Sequence, residues 1–305
     1  MSFENIKYDI ILPFYDDYEF LDFQINCINY QTLKATNLIF IDDGNKDKDL
    51  EKNLRLKINP EINIVFISFP KNMGLFYGLN VGFDKLQSEY FRIGATDDFS
   101  DKNLASESLK ILNKYKKRNF VFSNNITYLK DKNKKIKINF NFLNKEEYTS
   151  NEVDLIFKKN QFKIYHNTVF YRTKFFLKNH LFQEKYGFRC DYLNLLYFSH
   201  LSGFVYVDKF LSEFTVRKGQ INKMHDYKYL TGETKFIKKK NINFYNFYIE
   251  NGLHYDFSPL SIFRYKFHKN SLFSMKWFVR SIKFRIWKQI RSILPNNIIQ
   301  FLSNY

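Results

Sequence analysis

The sequence predicts an α/β protein with a mostly parallel central sheet flanked by helices, and two patterns support this prediction. Short apolar runs bounded by turn residues recur early in the chain, at 8–12, 38–41 and 62–69, and each is typical of a buried strand. The intervening segments 19–30 and 78–86 carry apolar residues at helical spacing. Strands that alternate with helices favour a parallel, doubly wound sheet.

Composition indicates a folded intracellular protein. The 305 residues are 45% hydrophobic, enough to bury a full core. The two cysteines, Cys27 and Cys190, do not suggest a disulfide framework, so we interpret them as packing thiols in a reducing cytosol. The N-terminus lacks the pattern of a signal peptide, and no apolar stretch approaches the roughly 20 residues of a membrane-spanning helix.

The charge balance points to an anionic partner without identifying it. Lys and Arg number 48 against 31 Asp and Glu, a formal net charge of +17. Nucleic acid, anionic lipid and nucleotide sugars would all be attracted to such a chain. Aromatic residues make up 20% of the chain, which fits stacking platforms for sugars or bases but also a simple bias in codon usage.

Acidic residues follow two of the predicted strands, where ligands of doubly wound sheets bind. Asp42 and Asp43 come directly after one strand, and their carboxylates could accept hydrogen bonds from a nucleobase and a ribose, although Asp-Asp-Gly is also a common turn signal. Asp97 and Asp98 follow a strand at 89–93 and could hold a divalent ion that bridges a diphosphate, or cap a helix.

A third acidic position lies far downstream. Asp191 precedes the apolar run 192–198, so it could cap a helix or act as the general base for an incoming hydroxyl.

The order and spacing of these motifs resemble family 2 glycosyltransferases of the GT-A fold. The similar segments are "DIILPFY" at 9–15, "FIDDG" at 40–44, Lys71 to Gly74 with Gly78, Asn80 and Gly82, "SEYFRIGATDD" at 88–98, and Cys190 to Arg217. The chain departs from the family pattern at Ala95, where the first carboxylate of the acidic run is missing, at Asp16, where Asn is common, and at Cys190, where Glu is usual.

The resemblance implies an inverting, single-step sugar transfer from a nucleotide-diphosphate sugar, with UDP favoured, to a hydroxyl of a surface glycan or glycolipid such as lipopolysaccharide or capsule. It implies that Asp98 with Asp97 binds Mn²⁺ or Mg²⁺ and that Asp191 is the catalytic base. His166 would line the acceptor cleft, although packing alone would equally account for this histidine. The residues implied to bind the nucleotide sugar are Pro13, Tyr15, Asp42, Asp43, Lys71, Asn72, Gly74 and Asp97.

We place a nucleotide-sugar-binding half at 1–118, an acceptor-binding half of the same domain at 119–230, and a basic, aromatic helical extension at 231–305. Residues 119–150 look irregular, with a solvated hairpin or loop at 130–137. Apolar residues recur at helical spacing from Met275 to Ile293 with basic residues beside them, which predicts a helix lying on an anionic membrane surface or one packed on the protein's own core. We therefore expect a cytoplasmic protein, peripheral on the inner face of the cytoplasmic membrane.

The sequence also bears on three other possible functions. Nucleic-acid binding is disfavoured because no recognised nucleic-acid-binding motif accompanies the charge. A nucleotidyltransferase would need a glycine-rich phosphate loop after the first strand, and no glycine precedes Gly44. A catalytically inactive binding protein with the transferase fold stays open because of Ala95.

Overall fold

The computed structural model describes residues 6–159, 163–186, 190–217 and 239–244, and its centre is a ten-stranded sheet. The strands are β1 (Tyr8–Phe14), β2 (Asn37–Asp42), β3 (Asn63–Ser68), β4 (Tyr90–Ile93), β5 (Phe99–Ser100), β6 (Phe120–Leu129), β7 (Lys134–Ile138), β8 (Glu147–Tyr148), β9 (Phe170–Arg172) and β10 (Phe204–Val216). The helices are α1 (Tyr18–Asn29), α2 (Leu50–Lys57), α3 (Leu75–Phe83), α4 (Leu104–Lys114), α5 (Ser150–Lys159), α6 (Thr173–Asn179) and α7 (Cys190–Ser202).

The sheet topology places the ends of the long strands together. Strand order is β3-β2-β1-β4-β9-β6-β10-β5, with β7 paired to β6 and β8 paired to β10. Strands β3, β2, β1 and β4 pair in parallel, and β10 is parallel to β6. Because β9 is antiparallel to both β4 and β6, these two strands also point the same way. The carboxyl ends of β1, β2, β4, β6 and β10 therefore share one edge of the sheet, which we call the carboxyl edge.

Two helical layers cover the sheet, and the alternation of side chains along the strands explains why. On one face Ile10, Leu12 and Phe40 pack with apolar residues of α1, α2 and α4. On the other face Phe91 contacts Phe83 of α3 and Phe176 of α6. Burial of both faces accounts for the near-continuous apolar runs of the central strands.

Most of the predicted elements are confirmed, with two corrections. The strand predicted at 62–69 exists as β3, but it is an edge strand with partly exposed side chains and not a buried one. The prediction that 119–150 is irregular is wrong, because this stretch contains the ten-residue strand β6 in the middle of the sheet. The hairpin predicted at 130–137 is confirmed by the pairing of β6 with β7, and both cysteines are buried free thiols.

The chain divides into two compact units, residues 1–224 and 225–305. Our predicted boundaries near 118 and 230 stay predictions. The basic helical extension predicted for 231–305, including the helix from Met275 to Ile293, lies outside the described residues except for 239–244. Among the described residues, no helix is long and apolar enough to span a membrane.

Candidate active site

The carboxyl edge brings the predicted site residues to the same end of the sheet. Asp42 ends β2, and Asp97 and Asp98 follow β4. His166 lies in a short 3-10 helix just before the antiparallel strand β9, so it is at the same edge. One residue separates α7 from β10, and Phe198 of α7 packs on Phe120 and Tyr171 of the sheet. Asp191 lies in the first turn of α7 and its charge acts on His166, so we place Asp191 at the carboxyl edge too.

Asp42 organises the turn that follows β2. Its Oδ1 accepts hydrogen bonds from the backbone N–H and the side-chain amide of Asn45, at 2.9 and 2.6 Å. Its Oδ2 accepts from the Ser68 hydroxyl at 2.7 Å, which ties the turn to β3. These contacts are those of an Asp-Gly turn, so in this structure the Asp42 carboxylate is used within the fold.

Asp43 fastens a second loop to the end of β2. Its two carboxylate oxygens accept hydrogen bonds from the backbone N–H groups of Met73 at 2.6 Å and Gly74 at 3.0 Å. Gly74 has a φ of +88° and directly precedes α3. The loop that carries Lys71 and Asn72 is thereby held beside β2, with both side chains exposed.

The turn that follows β1 lies beside the turn that follows β2. Pro13 lies within β1, and Tyr15 directly after it is 51% exposed. Asp16 adopts a positive φ of 55°, and its N–H donates to the side chain of Asn45 at 2.9 Å. The turns after β1 and β2 are thus joined, and an exposed aromatic ring stands beside the acidic pair.

Asp97 and Asp98, which follow β4, are both buried. Asp98 is 4% exposed, and its Oδ1 accepts a hydrogen bond from the backbone N–H of Thr215 at 3.0 Å. Burial, opposed by the Thr215 hydrogen bond and Arg92 and reinforced by the charges of Asp97 and Glu213, raises the pKa of Asp98 to about 8. Among the described residues, no group of three or more His, Cys, Asp or Glu side chains is placed to hold a metal ion.

Two arginines surround this acidic pair. Arg217, at the end of β10, pairs with Asp97 at 3.1 Å and with Asp17 at 2.7 Å. Arg92 of β4 is buried and donates to the Ser100 hydroxyl and the Asn167 carbonyl oxygen. Burial lowers the pKa of Arg92, and its charge acts on Asp98, so a buried cation lies behind the carboxylates.

Asp191 and His166, the two residues predicted for the acceptor side, act on each other electrostatically. The His166 ring Nε2 is buried without a hydrogen-bond partner among the described residues, and the ring packs against Tyr171 and Phe182 at centroid distances of 5.8 and 5.6 Å. Burial lowers the pKa of His166 to about 4, with Asp191 opposing the change. Arg92 donates to the carbonyl oxygen of Asn167, the neighbour of His166, and its charge acts on both His166 and Asp98, so Arg92 connects the acidic pair with the segment that carries His166.

A separate cavity of about 980 Å³ lies away from this edge. It is lined by the C-terminal half of α4, residues 143–146 and residues 206–209. None of the predicted site residues lines it, so the cavity gives no support to their assignment.

Comparison with known proteins identifies the family. The model of "Glycosyl transferase family 2" matches residues 9–178, more than half of the chain. The chain belongs to glycosyl transferase family 2. The match includes β1 to β4, both acidic pairs and His166, and it ends before Asp191.

Three curated relatives match shorter stretches of the chain. An uncharacterized glycosyltransferase of Rickettsia conorii is 30% identical over 105 residues, 34% of this chain and 17% of the relative. One of Haemophilus influenzae is 30% identical over 118 residues, 38% and 43% of the two chains. The cholesterol galactosyltransferase of Borreliella burgdorferi is 35% identical over 92 residues, 30% and 25% of the two. The matches thus span less than half of the length of each relative.

Solved structures agree with the GT-A fold of the glycosyltransferase. S. aureus TarS residues 1–349 superpose with a TM-score of 0.63 at 16% sequence identity, covering 86% of this chain and 76% of that chain. The same protein was solved with UDP, at a TM-score of 0.63, and with UDP-GlcNAc, at 0.62 and 14% identity. At this identity the likeness shows the fold alone.

The sequence prediction missed Arg92 and Arg217. Arg217 was included only as the last residue of a resembling segment, and Arg92 only as part of a strand. A charged residue in the middle of a strand that is otherwise apolar was a usable signal for Arg92, because such a residue needs a buried polar partner. No local pattern marked Arg217, because its partners Asp17 and Asp97 are distant in sequence.

Proposed function

We propose that this family 2 glycosyltransferase transfers a sugar from a UDP-sugar to a hydroxyl of a cell-surface glycan or glycolipid, with inversion at the anomeric carbon. The observation that carries the proposal is the placement of Asp43, Asp98 and Asp191 at the carboxyl edge of the sheet. Ligands of open α/β sheets bind outside the carboxyl ends of the strands, so a donor and an acceptor can meet there.

The nucleotide half of the proposal rests on the loops after β1, β2 and β3. Asp43 holds the 71–74 loop beside β2, which leaves Lys71 and Asn72 exposed toward a ligand at that edge. Tyr15 offers an exposed ring for stacking on a base. UDP is favoured because the TarS structures that share the fold include complexes with UDP and UDP-GlcNAc.

The acidic pair after β4 suits a divalent cation when a diphosphate supplies the remaining oxygens. Mg²⁺ is commonly bound by one or two carboxylates together with substrate phosphates. Asp97 and Asp98 would supply two, and because burial raises the pKa of Asp98 to about 8, the bound cation would displace its proton. Mn²⁺ or Mg²⁺ held there would neutralise charge on the leaving diphosphate. Asp97 must then exchange its contact with Arg217 for this role.

Asp191 is proposed as the general base. Its carboxylate would take the proton of the acceptor hydroxyl as that oxygen attacks the anomeric carbon, while the bond to the diphosphate breaks. His166 would line the acceptor cleft beside Asp191 in its neutral form, because its lowered pKa keeps the ring uncharged at physiological pH. No covalent enzyme intermediate is needed for such a single displacement.

The acceptor class draws on one relative. The Borreliella burgdorferi protein is named for galactosyl transfer to cholesterol, a membrane lipid. A lipid or lipid-linked acceptor on the inner face of the cytoplasmic membrane therefore fits the present glycosyltransferase. Such an acceptor also suits the strongly basic net charge of +17, which attracts anionic membrane surfaces.

A donor screen followed by two substitutions tests the function. Thermal unfolding of the full chain is measured with UDP, GDP, CDP and dTDP sugars, with and without Mn²⁺, and we expect stabilisation by UDP-sugars alone. Asp191→Asn should lower turnover of the stabilising donor by about 10²- to 10⁴-fold, the range expected for loss of a general base, while UDP binding persists. Asp98→Asn should lower both turnover and the Mn²⁺-dependent stabilisation.

The control is Asp84→Asn, which changes an exposed carboxylate just after α3, distant from the carboxyl edge. Normal turnover in both Asp98→Asn and Asp191→Asn would refute the site. Donor binding without any turnover in the wild-type chain would favour the alternative of an inactive binding protein, for which Ala95 is the supporting observation.

A further inference from the structure

Two cations from different parts of the chain rest on one aromatic ring at the rim of the site. The Arg217 Cζ atom lies 4.6 Å from the centroid of the Phe20 ring, and the Lys130 Nζ atom lies 4.5 Å from it. Arg217 follows β10, Lys130 begins the turn after β6, and Phe20 lies in the first turns of α1. The carboxyl ends of β6 and β10 therefore deliver two positive charges to the point where α1 begins.

The contacts that Lys130 makes with other described residues are weak. Its ion pair with Glu19 is 3.5 Å long, and the Glu19 side chain is 65% exposed. Exposed pairs of this kind contribute little to stability because solvent screens them. The contact with Phe20 adds a modest attraction at a partly exposed position. Lys130 can leave these partners at small cost.

Arg217 has stronger partners, and one of them is a predicted donor ligand. It pairs with Asp17 at 2.7 Å, with Asp97 at 3.1 Å, and with Glu19 at 3.8 Å. Asp17 also accepts a hydrogen bond from the Thr96 hydroxyl at 2.8 Å, which links it to the loop before Asp97. The guanidinium thus lies against the acidic pair where the diphosphate is proposed to bind.

We propose that Arg217 and Lys130 form a binding site for the diphosphate of the donor. This inference rests on the proposed function and adds to it two residues outside the acidic pair. The planar guanidinium can donate two parallel hydrogen bonds to a phosphate, and the ammonium of Lys130 adds a point charge. A diphosphate bears more charge than Glu19, so its arrival draws both side chains off the weaker partners. Negative charge that grows on the leaving diphosphate is then stabilised by the two cations bound to it.

The chain departs from the family pattern at a position close to this site in sequence. Ala95 occupies the place of the first carboxylate of the family's acidic run. Fewer carboxylates near the diphosphate mean less negative charge to offset, and two nearby cations then hold a larger share of the phosphate charge.

The test compares UDP with UMP, because the two differ by one phosphate. Dissociation constants of both nucleotides are measured by calorimetry in the presence of Mn²⁺ for the wild-type chain, Arg217→Gln, Arg217→Lys and Lys130→Gln. We expect Arg217→Gln to reduce the preference for UDP over UMP at least tenfold, and Lys130→Gln to reduce it about three- to tenfold. Arg217→Lys should restore part of the preference, since it keeps the charge and loses the planar fork.

Each variant has a matched control. Arg55→Gln removes a guanidinium from α2 that pairs with Glu51 at 2.7 Å, and Lys132→Gln removes an exposed lysine two residues from Lys130. Both controls should keep the wild-type preference. Melting temperatures of all variants are recorded, because a merely structural Arg217 would weaken UDP and UMP binding equally and leave their ratio unchanged.

The possible results separate the two proposals. Failure of the wild-type chain to bind any nucleoside diphosphate would overturn the proposed function and this inference together. Binding of UDP with no preference over UMP, or an unchanged preference in Arg217→Gln and Lys130→Gln, would overturn the inference alone.

Discussion

At the scale of single residues, neighbouring carboxylates have different surroundings. Asp42 is engaged by Asn45 and Ser68 within its own turn, whereas Asp43 holds the backbone of the loop that precedes α3. The sequence places both residues at the end of a strand. It does not predict which of the two binds the loop before α3, because Met73 in that loop is 30 residues away from Asp43. Long-range partners of this kind are the part of a site that local patterns do not carry.

His166 offers a test of the acceptor side through pH. Its pKa is lowered to about 4 by burial, with Arg92 also lowering it and Asp191 raising it, and its ring faces Tyr171 and Phe182. The unfolded chain therefore binds a proton between about pH 6.5 and 4 that the folded chain does not. The contribution of the neutral His166 ring to the free energy of unfolding is fully present above pH 6.5 and is lost as the pH falls toward 4.

We accordingly expect His166→Phe to flatten the acid limb of the stability curve. Between pH 7 and pH 5 the wild-type chain should lose up to about 2 kcal/mol more unfolding free energy than the variant. Urea titrations at both pH values measure the difference. Equal losses in the two proteins would mean that the pKa of His166 is the same in the folded and the unfolded chain, contrary to the effect of its burial.

At the scale of elements, the apolar strands were predictable and the polar one was not. Strands β1, β2 and β4 are mostly apolar and were located within two residues of their observed ends. Strand β6 carries Ser123, Asn124 and Asn125 in its middle, so the sequence resembles a loop. Asn125 accepts a hydrogen bond from Asn167 and Asn124 donates one to Asp208, and these distant partners make burial of the amides tolerable.

The turn after β2 depends on Gly44, and its replacement should weaken nucleotide binding. Gly44 has a φ of +84°, and a Cβ atom there would lie 2.2 Å from the backbone carbon of Lys71. Because Asp43 fixes the 71–74 loop, Gly44→Ala must push this loop away. We expect at least a tenfold rise in the Kd for UDP and a loss of about 1 to 3 kcal/mol in unfolding free energy.

Gly74→Ala separates the two causes. Gly74 has a similar φ of +88°, but a Cβ atom there would have no heavy atom within 4 Å. The variant should therefore bear only the backbone cost of an alanine at a φ of +88° and a ψ of 153°, a region adopted almost only by glycine, about 1 to 3 kcal/mol. If Gly44→Ala is no worse than Gly74→Ala in both calorimetry and urea unfolding, contact between the two loops does not shape the nucleotide site.

At the scale of the whole molecule, the carboxyl edge contains residues from both the donor half and the acceptor half that were predicted from the sequence. Residues 8–98 supply the proposed donor side, and residues 166–191 supply the acceptor side. Strand β9 lies between β4 and β6, so the two halves share one sheet. The parallel sheet of the first half was evident from alternating strands and helices, but β9 has only three residues, too few for any periodicity to be read.

An aromatic cluster joins these halves on one face of the sheet and should make them unfold together. Phe176 of α6 is fully buried, and its ring lies 4.7 Å from that of Phe91, 4.8 Å from Phe83 and 5.8 Å from Phe198. Phe83 and Phe91 belong to the donor half, and Phe198 belongs to α7 of the acceptor half. Removal of this ring would leave a cavity where both halves meet, so both halves would lose stability together.

We predict that Phe176→Ala lowers the free energy of unfolding by about 3 to 5 kcal/mol, whereas Leu177→Ala, at a side chain that is 43% exposed, changes it far less. Hydrogen exchange read by mass spectrometry along a urea titration should give the same midpoint for peptides from β2 and from β10 in the wild-type chain, and both midpoints should fall together in Phe176→Ala. Separate midpoints for the two peptides would mean that the donor and acceptor halves fold independently, and the shared aromatic cluster would then be too weak to couple the two sides of the active site.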